Sequence, residues 1–121
     1  MYNEISTWMN GILQRPIPDE VAAFCLNLYE MEQDQWSMEL IGTETFDLED
    51  MDWACEEVTD FGTRNHPLIW KQEAKWEDVL EEMIQMLRTY LETEPYAEKL
   101  KSREGIGIGF ADGDIIILST K

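Results

Sequence analysis

Trp76-Glu77-Asp78-Val79-Leu80-Glu81-Glu82-Met83-Ile84-Gln85-Met86-Leu87-Arg88-Thr89-Tyr90-Leu91, residues 76–91, is the stretch on which the fold turns. Trp76, Val79, Leu80, Met83, Ile84, Leu87, Tyr90 and Leu91 recur at helical spacing. Glu77, Asp78, Glu81, Glu82, Gln85 and Arg88 take the opposite side. A helix with one broad apolar stripe must lay that stripe on another layer. Val79, Leu80, Met83 and Leu87 are therefore expected to be buried, and the candidate layer is a sheet. Pro95 ends the helix, and residues 96–101 have room for another turn or two.

The segments on either side supply the strands. Downstream, Gly105 to Phe110 alternates glycine with Ile106, Ile108 and Phe110. Asp112-Gly113 then suits a two-residue type I′ turn, and Ile115 to Leu118 follows as a continuous apolar run suited to mid-sheet. Upstream, residues 21–31 are ambiguous, because Pro18-Asp19-Glu20 resembles a helix start. The alternation of Phe24, Leu26 and Leu28 against Cys25, Asn27 and Tyr29 favours a strand. Trp36, Met38 and Leu40 alternate likewise with Ser37 and Glu39, so the two runs read as a hairpin turning at residues 32–35. Leu68-Ile69-Trp70 is a candidate further strand, and Trp53, Cys55 and Val58 suit a short helix or an extended piece docked on the core. Near the start, Ile5, Trp8, Met9, Ile12 and Leu13 mark a helix that Asn3 can cap and Pro16 and Pro18 end. The reading is a single α+β domain over residues 1–121: an antiparallel sheet of two hairpins, with a possible fifth strand and an amphipathic helix packed on it.

The charge is strongly acidic, with 26 Asp and Glu against nine Lys and Arg and a formal net charge of −17. Its distribution is uneven. Residues 16–63 hold fourteen of the acids and no Lys or Arg, while the remaining twelve acids are nearly balanced by the nine bases. A solvated face that keeps the protein soluble would account for any one of these acids. A one-signed block is harder to explain that way, because like charges repel in the compact state. A basic protein partner would turn the repulsion into attraction and speed the encounter. Nucleic acid is disfavoured as a partner, since phosphate neutralisation needs clustered Lys and Arg.

Signs of chemistry are sparse. His66 is the only histidine, and Cys25 and Cys55 lie among apolar neighbours, as buried thiols do. A cysteine nucleophile with His66 as its base is conceivable, but Cys25, Cys55 and His66 are scattered for a zinc set. No disulfide framework is expected from two cysteines. The run Asp47, Glu49, Asp50, Asp52 fails the spacing of a calcium loop from either starting point, although loose divalent binding stays open. Gly105, Gly107 and Gly109 sit inside a strand, not between a strand and a helix, so close aromatic or backbone packing is a better reading than a phosphate loop. No catalytic residue, cofactor or metal ligand is assigned. No segment reads as a membrane span or a signal peptide, and the cytoplasm is the expected location. What remains is a surface where acids are interleaved with Trp36, Phe46 and Trp53, the composition of an interface hot spot. The candidate partner-binding residues are Glu44, Asp47, Glu49, Asp50, Asp52 and Trp53, with Trp53 as either an anchor for the partner or a buried structural ring.

Asn27-Leu28-Tyr29-Glu30, Glu39-Leu40-Ile41-Gly42, Phe46-Asp47, Asp52-Trp53-Ala54-Cys55-Glu56-Glu57 and Gly109-Phe110-Ala111-Asp112-Gly113-Asp114 resemble small acidic bacterial immunity proteins. Such proteins are made beside a secreted or contact-delivered toxin and neutralise its toxic domain. The likeness covers the middle and end of the chain and not the first twenty residues. It implies a cytoplasmic, non-catalytic inhibitor of a basic toxin domain, commonly a nuclease, and no contact residue carries over from it. Two other readings compete: an acidic regulatory or adaptor protein, and a small carboxylate-based or metal-dependent hydrolase.

Overall fold

In the computed structural model, which describes residues 1–63 and 65–121 (backbone alone at 59 and 60), both apolar stripes form helices. Helix α1 (Tyr2–Leu13) buries the five residues that its spacing singles out: Ile5, Trp8, Met9, Ile12 and Leu13. It starts two residues earlier than a cap at Asn3 would place it, with Met1 as the capping residue. Helix α2 (Trp76–Thr93) buries Val79, Met83, Ile84, Leu87, Tyr90 and Leu91, while Leu80 is half-buried and Trp76 exposed. A short α3 (Ala97–Lys101) follows. The helices are tied together by polar contacts: the Tyr90 hydroxyl donates to Asn10 Oδ1 at 2.6 Å, Ser6 donates to Glu94, and the Lys99 ammonium donates to the Leu13 carbonyl at the end of α1. A cation at that position also suits the negative end of the helix dipole.

The strands are β1 (Ala23–Glu30), β2 (Gln35–Thr43), β3 (Glu57–Gly62), β4 (Leu68–Lys71), β5 (Gly105–Phe110) and β6 (Ile116–Thr120). They form one six-stranded sheet ordered β3-β2-β1-β5-β6, with β4 also paired to β2. The expected hairpin of β1 and β2 pairs Leu26 with Leu40 and Leu28 with Met38. Its turn places Gln33 and Asp34 in the left-handed region, at φ 59° and 61°. The other edge of β2 is shared. β3 pairs with its C-terminal end, β4 pairs with its N-terminal half, and the Leu40 N–H donates to the Thr63 hydroxyl between them. Arg64, which bounds the base-free stretch, lies outside the described residues.

The sheet is mixed, and this corrects the wholly antiparallel expectation. β1 and β5 run parallel. The reason is the helical connection: β4 is antiparallel to β2 and hence parallel to β1, and a crossover through α2 and α3 brings the chain back to start β5 in the same direction. The two hairpins therefore meet along a parallel seam. β6 is consequently an edge strand with half-buried side chains, not the mid-sheet strand that Ile115 to Leu118 suggested. The turn before it is longer than two residues. Gly113 N donates to Phe110 O, and Gly62 is the one glycine with positive φ among the described residues.

Strand alternation gives the sheet two unlike faces. Phe24, Leu26, Leu28, Trp36, Met38, Leu40, Ile106 and Ile108 point to one side and join the helices in the main core. The other side carries Ala23, Cys25, Ile41 and the three glycines of β5, and among the described residues no α-helix covers it.

Two substitutions test this packing. Leu87, 1% exposed, should cost roughly 2–5 kcal/mol when truncated to alanine. Gly11 lies on the exposed side of α1, where an added Cβ would meet nothing within 4 Å. Gly11→Ala should stabilise by about 0.5–1 kcal/mol, because glycine in a helix is entropically costly. Urea unfolding of both variants checks the two signs together.

Candidate functional site

The acidic loop, residues 44–56, is an excursion between β2 and β3 that lies across the face of the sheet opposite the α-helices. Its neck is closed by the Thr43–Glu57 pair and by Glu44 N donating to Glu56 O at 2.8 Å. The buried Thr43 hydroxyl bridges to the carbonyls of Ala23 and Thr45. Two local turns shape the loop. Glu49 N donates to Asp47 Oδ1 at 2.8 Å, and Asp52 N donates to Asp50 Oδ1 at 3.0 Å, which caps a short 3₁₀ helix over Met51–Cys55. Aspartate is suited to both places because its short carboxylate reaches the backbone two residues on.

Two aromatic rings fasten the loop to the sheet. Phe46 and Trp53 pack edge to face at 4.9 Å between centroids. Phe46 occupies the space where a Gly105 side chain would be, and Trp53 lies 3.1 Å from where a Gly107 Cβ would sit. The Gly105, Gly107 and Gly109 alternation is thus a flat packing surface, as expected. Of the two roles expected for Trp53, anchor for a partner or buried structural ring, the second is found. It is 3% exposed and packed with Ala23, Cys25 and Ile41, so its ring is committed to holding the loop.

Clamped in this way, the loop displays Glu44, Asp47, Glu49, Asp50 and Asp52, all exposed. Among the described residues no ion pair joins any of the five to a lysine or arginine. Leu48 and Met51 stand exposed between them, at 65% and 48%. Among the described residues the carboxylates of Glu44, Glu49 and Asp52 accept no hydrogen bond, whereas Asp47 and Asp50 also shape the loop.

Beside the loop is a polar cleft of about 390 Å³, lined by Asn27, Tyr29, Glu39, Asp52 and Cys55 among others. Sequence reasoning did not single out Glu39, a 5%-exposed carboxylate on the face opposite the α-helices. Its place in the alternation opposite Met38 and Leu40 was the available signal. Glu39 Oε1 accepts from the Tyr29 hydroxyl at 2.7 Å and from Asn27 Nδ2 at 3.3 Å, which offsets the cost of burying it. Asn27 Oδ1 in turn accepts from the Cys25 thiol.

Cys25 is buried, but Cys55 is exposed in the loop, contrary to the reading of both as buried thiols. The third residue of that set lies elsewhere. His66 lines a groove of about 920 Å³ between α1 and residues 65–69, together with Trp8, Ile12 and Arg15, and neither cysteine lines it. That groove holds none of the predicted partner-binding residues. Among the described residues no group of three or more His, Cys, Asp or Glu could hold a metal ion, and no helix is long and apolar enough to cross a membrane.

Burial, then the nearby Glu39 and Cys55, pushes the Cys25 thiol from 9.0 up to about 12. The folded state therefore holds that proton more tightly than the unfolded chain, so this contribution to stability is complete below about pH 9 and falls as pH rises toward 12. At pH 8 a thiol reagent should modify Cys55 rapidly and Cys25 only on unfolding. A second prediction concerns the clamp. A methyl group at Gly105 would collide with Phe46. Gly105→Ala should cost about 1–3 kcal/mol, as overpacking does, and hydrogen exchange should quicken in residues 44–56 before the helices are affected.

No family model matches the chain, and no curated protein or solved structure matches it either, so the reading of this surface stands on its own residues.

Proposed function

We propose that this protein is a non-catalytic inhibitor that acts in the cytoplasm by covering a basic surface on another protein, as an immunity protein covers a toxin domain such as a nuclease. One observation carries the reading: five carboxylates are displayed by a loop fastened to the sheet, and among the described residues none of them is ion-paired to a lysine or arginine. Exposed like charges held close together repel, and a basic cleft relieves that repulsion on contact. A loop already fixed by Phe46, Trp53 and two aspartate turns loses little further freedom on binding. Leu48 and Met51, exposed among the acids, supply apolar contact area.

A second reading has its own observation. Glu39, buried in the cleft beside Tyr29 and Asn27, is where a carboxylate-based enzyme would work. Glu39→Gln separates the two, since it spares the exposed acids. Inhibition should survive the change, and loss of function in a folded Glu39→Gln protein would favour the enzyme.

The binding test uses the product of the reading frame adjacent to this protein's own gene. Association should slow tenfold or more as salt rises from about 0.01 M to 0.15 M, because the Debye length shrinks from about 30 Å to about 8 Å. Reversing Glu44, Glu49 and Asp52 to lysine should weaken binding while unfolding free energy shifts by only about 0.5 kcal/mol per site. Reversing Glu77, Glu81 and Glu82 on the outer face of α2 should weaken it much less. Equal losses from both sets would reduce the effect to net charge, and no loss from the loop set would place the interface elsewhere.

A further inference from the structure

At the end of the sheet next to the cleft that Glu39 lines is a third concavity, of about 480 Å³, whose walls are aromatic. Trp76 at the start of α2, Phe110 at the end of β5 and Tyr29 near the end of β1 line it, along with Gly113 of the β5–β6 turn. Trp76 and Phe110 stand edge to face at 5.8 Å between centroids, and Phe110 is braced from behind by Trp36 at 5.9 Å. The Tyr29 hydroxyl is held by Glu39, which fixes that ring as well. Trp76 is 51% exposed and Tyr29 38% exposed, an unusual degree for large aromatics braced in this way. The charged side chains in the lining are Glu30 and Asp112, both acidic. Lys75, next to Trp76 in sequence, is not part of the lining.

We infer that this pocket is a binding site for a cationic side chain, a guanidinium or ammonium group, presented by the partner. Aromatic rings attract a cation through their negative faces, and the attraction strengthens as the site becomes drier. Two carboxylates in the lining, Glu30 and Asp112, supply the countercharge and can accept the N–H bonds of an arginine fork. Trp and Tyr surrounding a pocket are also what dominant interface residues look like. The site is continuous with the loop surface: Tyr29, Ala111 and Gly113 line both the pocket and the cleft that Asp52 borders. As a contact for the partner, this inference rests on the function proposed above. As a cation site it stands alone, and the experiment addresses it alone.

The full chain, labelled with ¹⁵N, is titrated with N-acetyl-arginine amide and, in parallel, with the neutral isostere N-acetyl-citrulline amide. Saturable shifts are expected at the Trp76 indole N–H and the Gly113 amide with the arginine probe, with citrulline binding at least fivefold more weakly. Trp76→Ala and Asp112→Asn should each weaken arginine binding about threefold to tenfold. The half-exposed Trp76 can be lost without opening the core, and Asp112→Asn changes charge alone. Three results would overturn the inference: equal binding of both probes, shifts confined to residues 44–56, or Glu49→Lys weakening the interaction as much as Asp112→Asn. Each leaves the salt dependence of the whole-protein encounter untouched, so failure of the pocket and failure of the acidic loop give different patterns.

Discussion

Strand β5 is built differently on its two sides, and the rest of the structure follows from that difference. Toward the helices it presents Ile106 and Ile108, fully sequestered in the main core. Toward the other face it presents Gly105, Gly107 and Gly109, and its parallel partner adds only Ala23, Cys25 and Asn27 opposite them. This floor has almost no relief, so two rings can approach it closely. If those glycines carried side chains, Phe46 and Trp53 would have no seat, and the loop between them would lose its attachment. Glycine weakens a strand by its entropy and by contributing no side chain to packing. That loss is accepted where another element must approach the backbone closely.

The flat floor also resolves a conflict in the loop itself. A segment with acids at 44, 47, 49, 50 and 52 has no reason to stay compact, since its charges favour extension. Apolar burial of Phe46 and Trp53 opposes that tendency, and the turns at Asp47 and Asp50 direct two of the repelling carboxylates into backbone hydrogen bonds. The acids are thereby held at fixed positions. Order in this loop is a compromise between hydrophobic attachment and electrostatic strain, and lower salt shifts the balance toward strain.

How much of this could be read from the sequence depends on the range of the interaction involved. Both helical stripes, the first hairpin and the glycine packing surface are local patterns, and each is found where the spacing puts it. The parallel seam between β1 and β5 is not local. It depends on which end of the sheet α2 and α3 return to, and eighty-two residues separate the paired Ala23 and Gly105. β3 is not specified as a strand by its own sequence, since Glu57 to Gly62 has neither alternation nor an apolar run and Val58 suits a short helix or an extended piece equally. Its place is set by the rest of β2's edge. Trp53 and Cys55 show the limit most clearly: two residues apart in one short helix, one turns into the sheet and the other to solvent. Composition made them look alike, and only the direction of the turn distinguishes them. The exposed acids were legible because charge seeks water, whereas the aromatic pocket was not, since its walls come from β1, β5 and the first residue of α2.

That pocket and the acidic loop differ in what each could contribute to an encounter. Long-range attraction from the loop acts before contact and governs how often two molecules meet in a useful orientation. It is also the first contribution that salt removes. Aromatic contact acts only at van der Waals distance. It excludes water from the charges beside it, so its effect falls on how long a complex lasts. Placing the two side by side, with Tyr29 as their shared wall, lets one surface use both effects in sequence. An acidic surface alone would accept almost any basic protein. A pocket with a fixed outline, bordered by Glu30 and Asp112, accepts only a partner whose cation projects far enough to enter it, and that requirement is what converts charge attraction into selectivity.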